Sequence, residues 1–254
     1  MSRQDGPQAS AGSHTSAVEK AIDQIRQNIE KITSEAQKLI DKCNSKWFLL
    51  SPPVKYLIHQ KLKEFRAALD RILKIAEEAL AHYAPVISLI NISFHWLNGV
   101  KGPVSNLAQG VGDFKNKNLA DWEGSSATYY NEKVVPVQKE AVEATAEKAG
   151  FISEWLYGIV LANIEFVTEL STVIGEIAGE VTTAAIEAAT VIDIPWAIDR
   201  LAAACGLIVE KHVNTLLSIA QRIAQAGENA RKVISDRVDY SKFTNGEWPQ
   251  AVRG

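Results

Sequence analysis

Apolar residues recur along residues 16–43 at alternating steps of four and three: Val18, Ile22, Ile25, Ile29, Ile32, Ala36, Leu39 and Cys43. This is a heptad seam, and one such stripe has to be covered by a second helix to be stable. Ser16-Ala-Val-Glu19 reads as a capping box at its start, with the glutamate reaching back to the cap. The pattern breaks over residues 44–51, where Trp47-Phe48-Leu49-Leu50 form an apolar turn. Ser51-Pro52 restarts it, a hydroxyl cap followed by proline at the first helical position. Ile58, Leu62, Phe65, Leu69, Ile72 and Ala76 then continue the seam. The two stretches predict an antiparallel hairpin over residues 16–84.

Residues 79–100 contain no Asp, Glu, Lys or Arg. They have the length of a membrane span, about twenty residues, but Pro85, Asn91, Asn98 and two histidines interrupt them. A buried bundle segment is the favoured reading. Under the alternative, Ile90, Phe94, Trp96 and Leu97 are the candidate membrane-active side chains. Gly99, Gly102 and Pro103 predict a break or kink, after which Val104, Leu107, Val111 and Phe114 resume an apolar face. Beyond residue 126 the helical pattern runs to about 191, which spans about 100 Å at 1.5 Å per residue if continuous. Pro136 is expected to kink it or to end a short first piece. Val134, Val137, Ala141, Ile152, Trp155, Ile159, Ala162, Phe166, Val173 and Ile177 form its expected buried stripe. Asp193-Ile-Pro-Trp196 is the next cap and restart. Ile198, Leu201, Cys205, Ile208, His212, Leu216 and Ile219 line the last helix.

The expected fold is all-α, an elongated bundle of long antiparallel helices with coiled-coil-like packing. Its expected parts are a disordered tail over 1–15, a basic hairpin over 16–84, a second hairpin over 85–192 with its turn at 122–124, a C-terminal helix over 193–238 packing on the same bundle, and a flexible tail over 239–254. The polar residues 1–15 have too little apolar surface to order themselves.

The turn of the second hairpin is the most distinctive stretch. In Leu119-Ala-Asp-Trp122-Glu-Gly124-Ser-Ser-Ala127-Thr-Tyr129-Tyr130, Gly124 supplies the positive φ that reverses a chain. Ser125 or Ser126 is placed to cap the following helix, and Trp122 is large enough to pack over the turn. Leu119, Trp122, Gly124, Ala127 and Tyr130 form a pattern that resembles the Trp-x-Gly turn of the WXG proteins, helical hairpins exported by type VII secretion systems. The resemblance covers about residues 86–180. It implies a secreted or surface-associated protein that acts by binding, with Trp122, Gly124, Ala127 and Tyr130 as turn and recognition residues. Two departures stand beside it. The chain is longer than such a hairpin, and no tyrosine has the acid four positions later that many such substrates carry: Tyr157 is followed by Leu161 and Tyr240 by Thr244.

Composition adds a charge asymmetry. Residues 1–118 hold 16 Lys and Arg against 11 Asp and Glu, whereas residues 119–254 hold 11 against 19. Both sets lie on amphipathic helical patterns, so the expectation is a basic hairpin packed on an acidic helix rather than a nucleic-acid surface. Residues 1–15 are polar with no apolar core, so no secretory signal peptide is expected in them.

No pattern for chemistry emerges. The histidines are scattered without zinc spacing, with His212 in a heptad stripe as a core histidine. Ser125-Ser126 has no nucleophile elbow, and Gly110-Val-Gly112 has no third glycine or strand. Cys43 and Cys205 both occupy seam positions, as buried thiols or as a pair if their helices are neighbours.

No enzyme activity, metal or cofactor is expected. The expected partners are another helical protein or a second copy of the chain, with secretion machinery if it is exported. Localisation is then secreted or cell-surface by a route without a signal peptide, the alternative being cytoplasmic. A second function class is an α-helical pore-forming toxin component that uses residues 79–100 at a membrane. An intracellular or phage scaffold is a weaker third.

Overall fold

Ser10 sets the start of the first helix. Its side-chain oxygen accepts the Ser13 N–H at 3.3 Å, so α1 spans Ala11–Lys46 and not residues 16 onwards. The Ser16 capping box is therefore inside the helix, and residues 11–15 of the expected tail are helical. The computed structural model describes residues 10–112, 122–236, 242–243 and 248–249. Within these, α2 spans Pro52–His95, α3 Gly102–Gly112, α4 Ser125–Tyr129, α5 Val135–Glu187 and α6 Asp193–Asp236. The fold is an all-α bundle in which four long helices pack together, and no strand occurs among the described residues. Leu119 and Phe114 lie outside the described residues.

Two π-helical turns, Trp96–Lys101 and Tyr130–Val134, each end two residues before a proline, Pro103 and Pro136. A proline lacks the N–H for the i→i−4 bond and crowds the carbonyl four residues back. A π-helical turn is the wider local arrangement. At Gly99–Pro103 the chain thus widens and stays helical, instead of breaking. Pro136 falls in the first turn of α5, so the expected short first piece is α4 with its π-helical turn.

The chain divides into two compact units, each drawing on separated segments. The first comprises the described residues up to Ile87 together with Leu161–Ile223. Here α1 and α2 form an antiparallel hairpin closed by a 3₁₀ turn at Trp47–Leu49. The Arg26 guanidinium lies 5.3 Å from the centre of the Tyr83 ring across this hairpin. In α5 and α6, Glu165 pairs with Arg222 and Glu187 with Arg200, so these helices are also antiparallel. Between the hairpins the numbering rises together. On α1 and α5, Gln24 meets Ser171 and Lys42 meets Ala185. The two hairpins therefore lie side by side with α1 parallel to α5.

The core of this unit follows the heptads. Val18, Ile22, Ile25, Ile32, Leu39 and Cys43 are buried on α1, and Ile58, Phe65, Ile72 and Ala76 on α2. Leu170, Val173, Ile174 and Ile177 meet them from α5, and Ile194, Ile198, Leu201, Cys205 and Leu216 from α6. Each fully buried side chain of this size is worth about 1.5–3 kcal/mol relative to exposure.

The basic hairpin lies against the acidic α5, but most interhelical ion pairs among the described residues join α5 to α6. The carboxylates of α5 are met by α6, through Arg222, His212 and Arg200. The basic hairpin contributes Lys42 and Lys46 to main-chain oxygens at the end of α5, and Lys61 to Asp199 of α6.

The second unit comprises Ser88–Val160 and the described residues from Ala224 onwards. Buried Ser153 donates to the Ser93 carbonyl at 2.9 Å, and Ser93 donates to the Ile90 carbonyl at 2.8 Å. The Trp155 indole N–H donates to the Ala226 carbonyl at 3.0 Å. The described residues of the expected flexible tail are held on α5. Lys242 pairs with Glu140 at 2.6 Å, Lys148 lies over the Phe243 ring, and Gln138 donates to the Pro249 carbonyl. Val137, expected in the buried stripe, is exposed.

Candidate recognition turn

Gly124 is the one described glycine with a positive φ, at 101°. Nothing lies within 4 Å of where its Cβ would stand, so the backbone angle and not crowding selects glycine. Gly124 is itself the N-cap of α4; neither Ser125 nor Ser126 makes a side-chain cap, because both already lie in the helix. The Gly124 carbonyl accepts the Thr128 N–H at 3.0 Å and its hydroxyl at 3.2 Å.

Trp122 is 41% exposed, and its ring lies 5.6 Å from that of Tyr130 at a 50° tilt. Tyr130 is half-buried, Ala127 is buried, and Tyr129 is exposed. Two of the four turn residues thus come together: the Trp122–Tyr130 pair leaves an aromatic surface open to solvent, while the small Ala127 is buried in α4. Such a pair presents both a flat apolar face and polar N–H and O–H edges.

The candidate membrane-active residues are arranged differently. Ile90 is fully buried, while Phe94, Trp96 and Leu97 are half-buried. Phe94 packs edge-on against Tyr157 at 5.8 Å. Among the described residues one helical run is long and apolar enough to cross a membrane, and it is Ser125–Glu187, with 39% of its most apolar window buried.

Among the titratable groups, His212 is buried with Nδ1 2.6 Å from Glu169 and Nε2 3.5 Å from Glu176. No group of three His, Cys, Asp or Glu converges among the described residues in a way that could hold a metal. Cys43 and Cys205 are both free and buried. Burial pushes the Cys205 thiol up to about 12, helped by the Glu180 carboxylate. Burial also raises Cys43, partly opposed by Lys46. Neutral thiols of this kind are poor nucleophiles.

No protein-family model, curated protein or solved structure matches the chain.

Sequence reasoning did not single out the apolar side chains of the turn between α5 and α6. Ile192 and Trp196 are 79% and 76% exposed there. The signal was present as large apolar residues on both sides of Pro195, next to a helix start.

Proposed function

We propose that the protein acts by binding through its helical surfaces and not by catalysis, as a secreted or surface-associated interaction protein of the type VII kind. The observation that carries this reading is the exposed Trp122 beside positive-φ Gly124, paired with Tyr130 at the start of a long helix. A tryptophan with a solvent-facing surface on a turn is suited to recognition by a second chain. The partner is another helical protein or a second copy, with the secretion machinery reading the same turn. The test is a secretion assay in the native host with Trp122→Ala beside wild type. Loss of export with an unchanged melting temperature supports the reading, and full export of the variant removes it.

A second reading is an α-helical pore-forming component. It would use residues 79–100; the run Ser125–Glu187 also has the length and apolarity of a span, although its Leu170, Val173, Ile174 and Ile177 are core residues. Dye release from vesicles separates it from the first: a binding protein leaves the dye inside.

A further inference from the structure

The two hairpin turns of the first unit lie at one end. Lys46 bonds to the Ala189 carbonyl oxygen, Lys42 reaches that of Ala185, and Lys61 pairs with Asp199 at 3.3 Å. These contacts bring the turn after α1 beside the turn after α5. The two turns and the helix starts after them carry large apolar side chains that face solvent: Phe48 is 77% exposed, and Leu49, Tyr56, Ile192 and Trp196 are exposed with it. Of the eighteen exposed large apolar side chains among the described residues, eight fall within residues 47–57 or 186–196. That concentration in two short segments marks an interaction surface rather than scattered exposure.

The first turn leans basic. From Lys42 to Lys63 there are five lysines, with Asp41 and Glu64 flanking the stretch and Glu64 paired with Lys61. On the neighbouring turn Glu187 pairs with Arg200 and Asp199 with Lys61, while Asp193 accepts from the neutral Thr190 hydroxyl and keeps its charge. Lys55 lies over the Trp47 ring at 5.7 Å, with its ammonium beside the apolar turn, and Lys63 is exposed. Aromatic and aliphatic side chains standing off two turns, flanked by lysines, have the chemistry of a membrane-interface contact. Tryptophan and tyrosine favour the headgroup level, and lysines meet anionic headgroups. We propose that this end of the bundle docks shallowly on an anionic lipid bilayer, with Phe48 and Trp196 entering the interface and Lys55 and Lys63 meeting headgroup phosphates. This surface shares no residue with the Trp122 turn and does not depend on export.

The experiment is flotation of the full-length protein with phosphatidylcholine vesicles, with and without phosphatidylglycerol. Co-flotation with the anionic vesicles, weakened by added salt, is expected. The exposed-site double variant Phe48→Ser/Trp196→Ser should bind roughly tenfold less tightly. Lys55→Glu/Lys63→Glu should lose the preference for phosphatidylglycerol. Leu207→Ser, an exposed apolar site on α6 outside both turns, should float as wild type. Circular dichroism confirms that each variant is folded. No flotation with anionic vesicles, or a Phe48→Ser/Trp196→Ser variant that floats as wild type, overturns the proposal. So does light scattering in which the wild type is a dimer and that variant a monomer, because the surface then serves self-association.

Discussion

The Nδ1 atom of His212 lies 2.6 Å from a carboxylate oxygen of Glu169, joining α6 to α5 at a point where the imidazole is buried. Nε2 of the same ring lies 3.5 Å from Glu176 and makes no hydrogen bond. The histidine therefore holds one carboxylate firmly and a second loosely. His212→Leu keeps the volume but removes the donor, and Glu169 loses its partner in a half-buried position. Hydrogen bonds to charged groups are worth about 1.5–3 kcal/mol, and we expect a loss at the lower end of that range. Glu169→Gln, which retains an acceptor, should cost less. Urea melts of the two single variants and the double variant test this; additive losses would show that the pair is not coupled.

Trp122 and Gly124 should respond in opposite ways. Trp122 is half-exposed, so its removal forfeits chiefly the contact with Tyr130, at about 0.5–1.5 kcal/mol. Gly124 holds φ at 101°, where a β-branched residue is strained by about 1–3 kcal/mol. Gly124→Val should therefore lower the melting temperature more than Trp122→Ala, whereas Trp122→Ala should do more damage to partner binding. A thermal melt and a pull-down on the same two proteins check both halves.

The seams were readable from spacing because helix packing in the first unit uses few positions per turn, and Val18, Ile22, Ile25, Ile32 and Leu39 are buried as their period requires. The start of α1 was not. Ala11-Gly-Ser-His-Thr has no apolar residue larger than alanine, so periodicity is blind there, and only the Ser10 cap marks the helix. Charge sums over the two halves left the individual ion pairs unspecified for a different reason. They do not say which neighbour a given carboxylate faces, and Glu165, Glu169 and Glu187 turn to α6. The Trp47–Leu50 turn was visible as a break in the seam. Its closeness to Ile192 and Trp196 depends on the side-by-side placement of two hairpins, which no local pattern encodes.

Cys205 makes a prediction about pH. Its folded-state value is about 12 against an ordinary 9.0, with burial the main cause. Below pH 9 the thiol is neutral in both states, so the stabilising effect of keeping it neutral in the fold is fully present. Between about 9 and 12 the unfolded chain releases the proton and the folded chain retains it. Stability then falls as pH rises, by up to about 1.4 kcal/mol per pH unit. Cys205→Ala should be less stable at neutral pH, from the lost volume, but should decline less steeply above pH 9. Denaturant titrations at pH 7, 9 and 10.5 measure the two slopes, and parallel curves would exclude the cysteine as the cause. Alkylation at neutral pH should likewise be slow in the folded protein and fast in denaturant.

Lys42 and Lys46 cross from α1 to the end of α5 and donate to the main-chain oxygens of Ala185 and Ala189. The last carbonyls of a helix, Ala185 among them, lack intrahelical partners and carry the negative end of its dipole, so an ammonium there satisfies an acceptor and a field together, while Ala189 lies in the turn just beyond. The two lysines are one turn apart and meet oxygens four residues apart, which fixes the register of the parallel hairpins. Lys42→Met and Lys46→Met keep much of the side-chain length without the charge. Each should cost about 0.3–1 kcal/mol, because the site is partly open to water. Lys31→Met, on an exposed stretch of α1 without such a contact, is the control and should be near neutral. Added salt should shrink the lysine effects only in part, since direct hydrogen bonds persist where long-range attraction is screened. If both variants melt as the wild type does, the register is held by the apolar seams alone, with Ile32, Leu39 and Cys43 meeting α5 unaided.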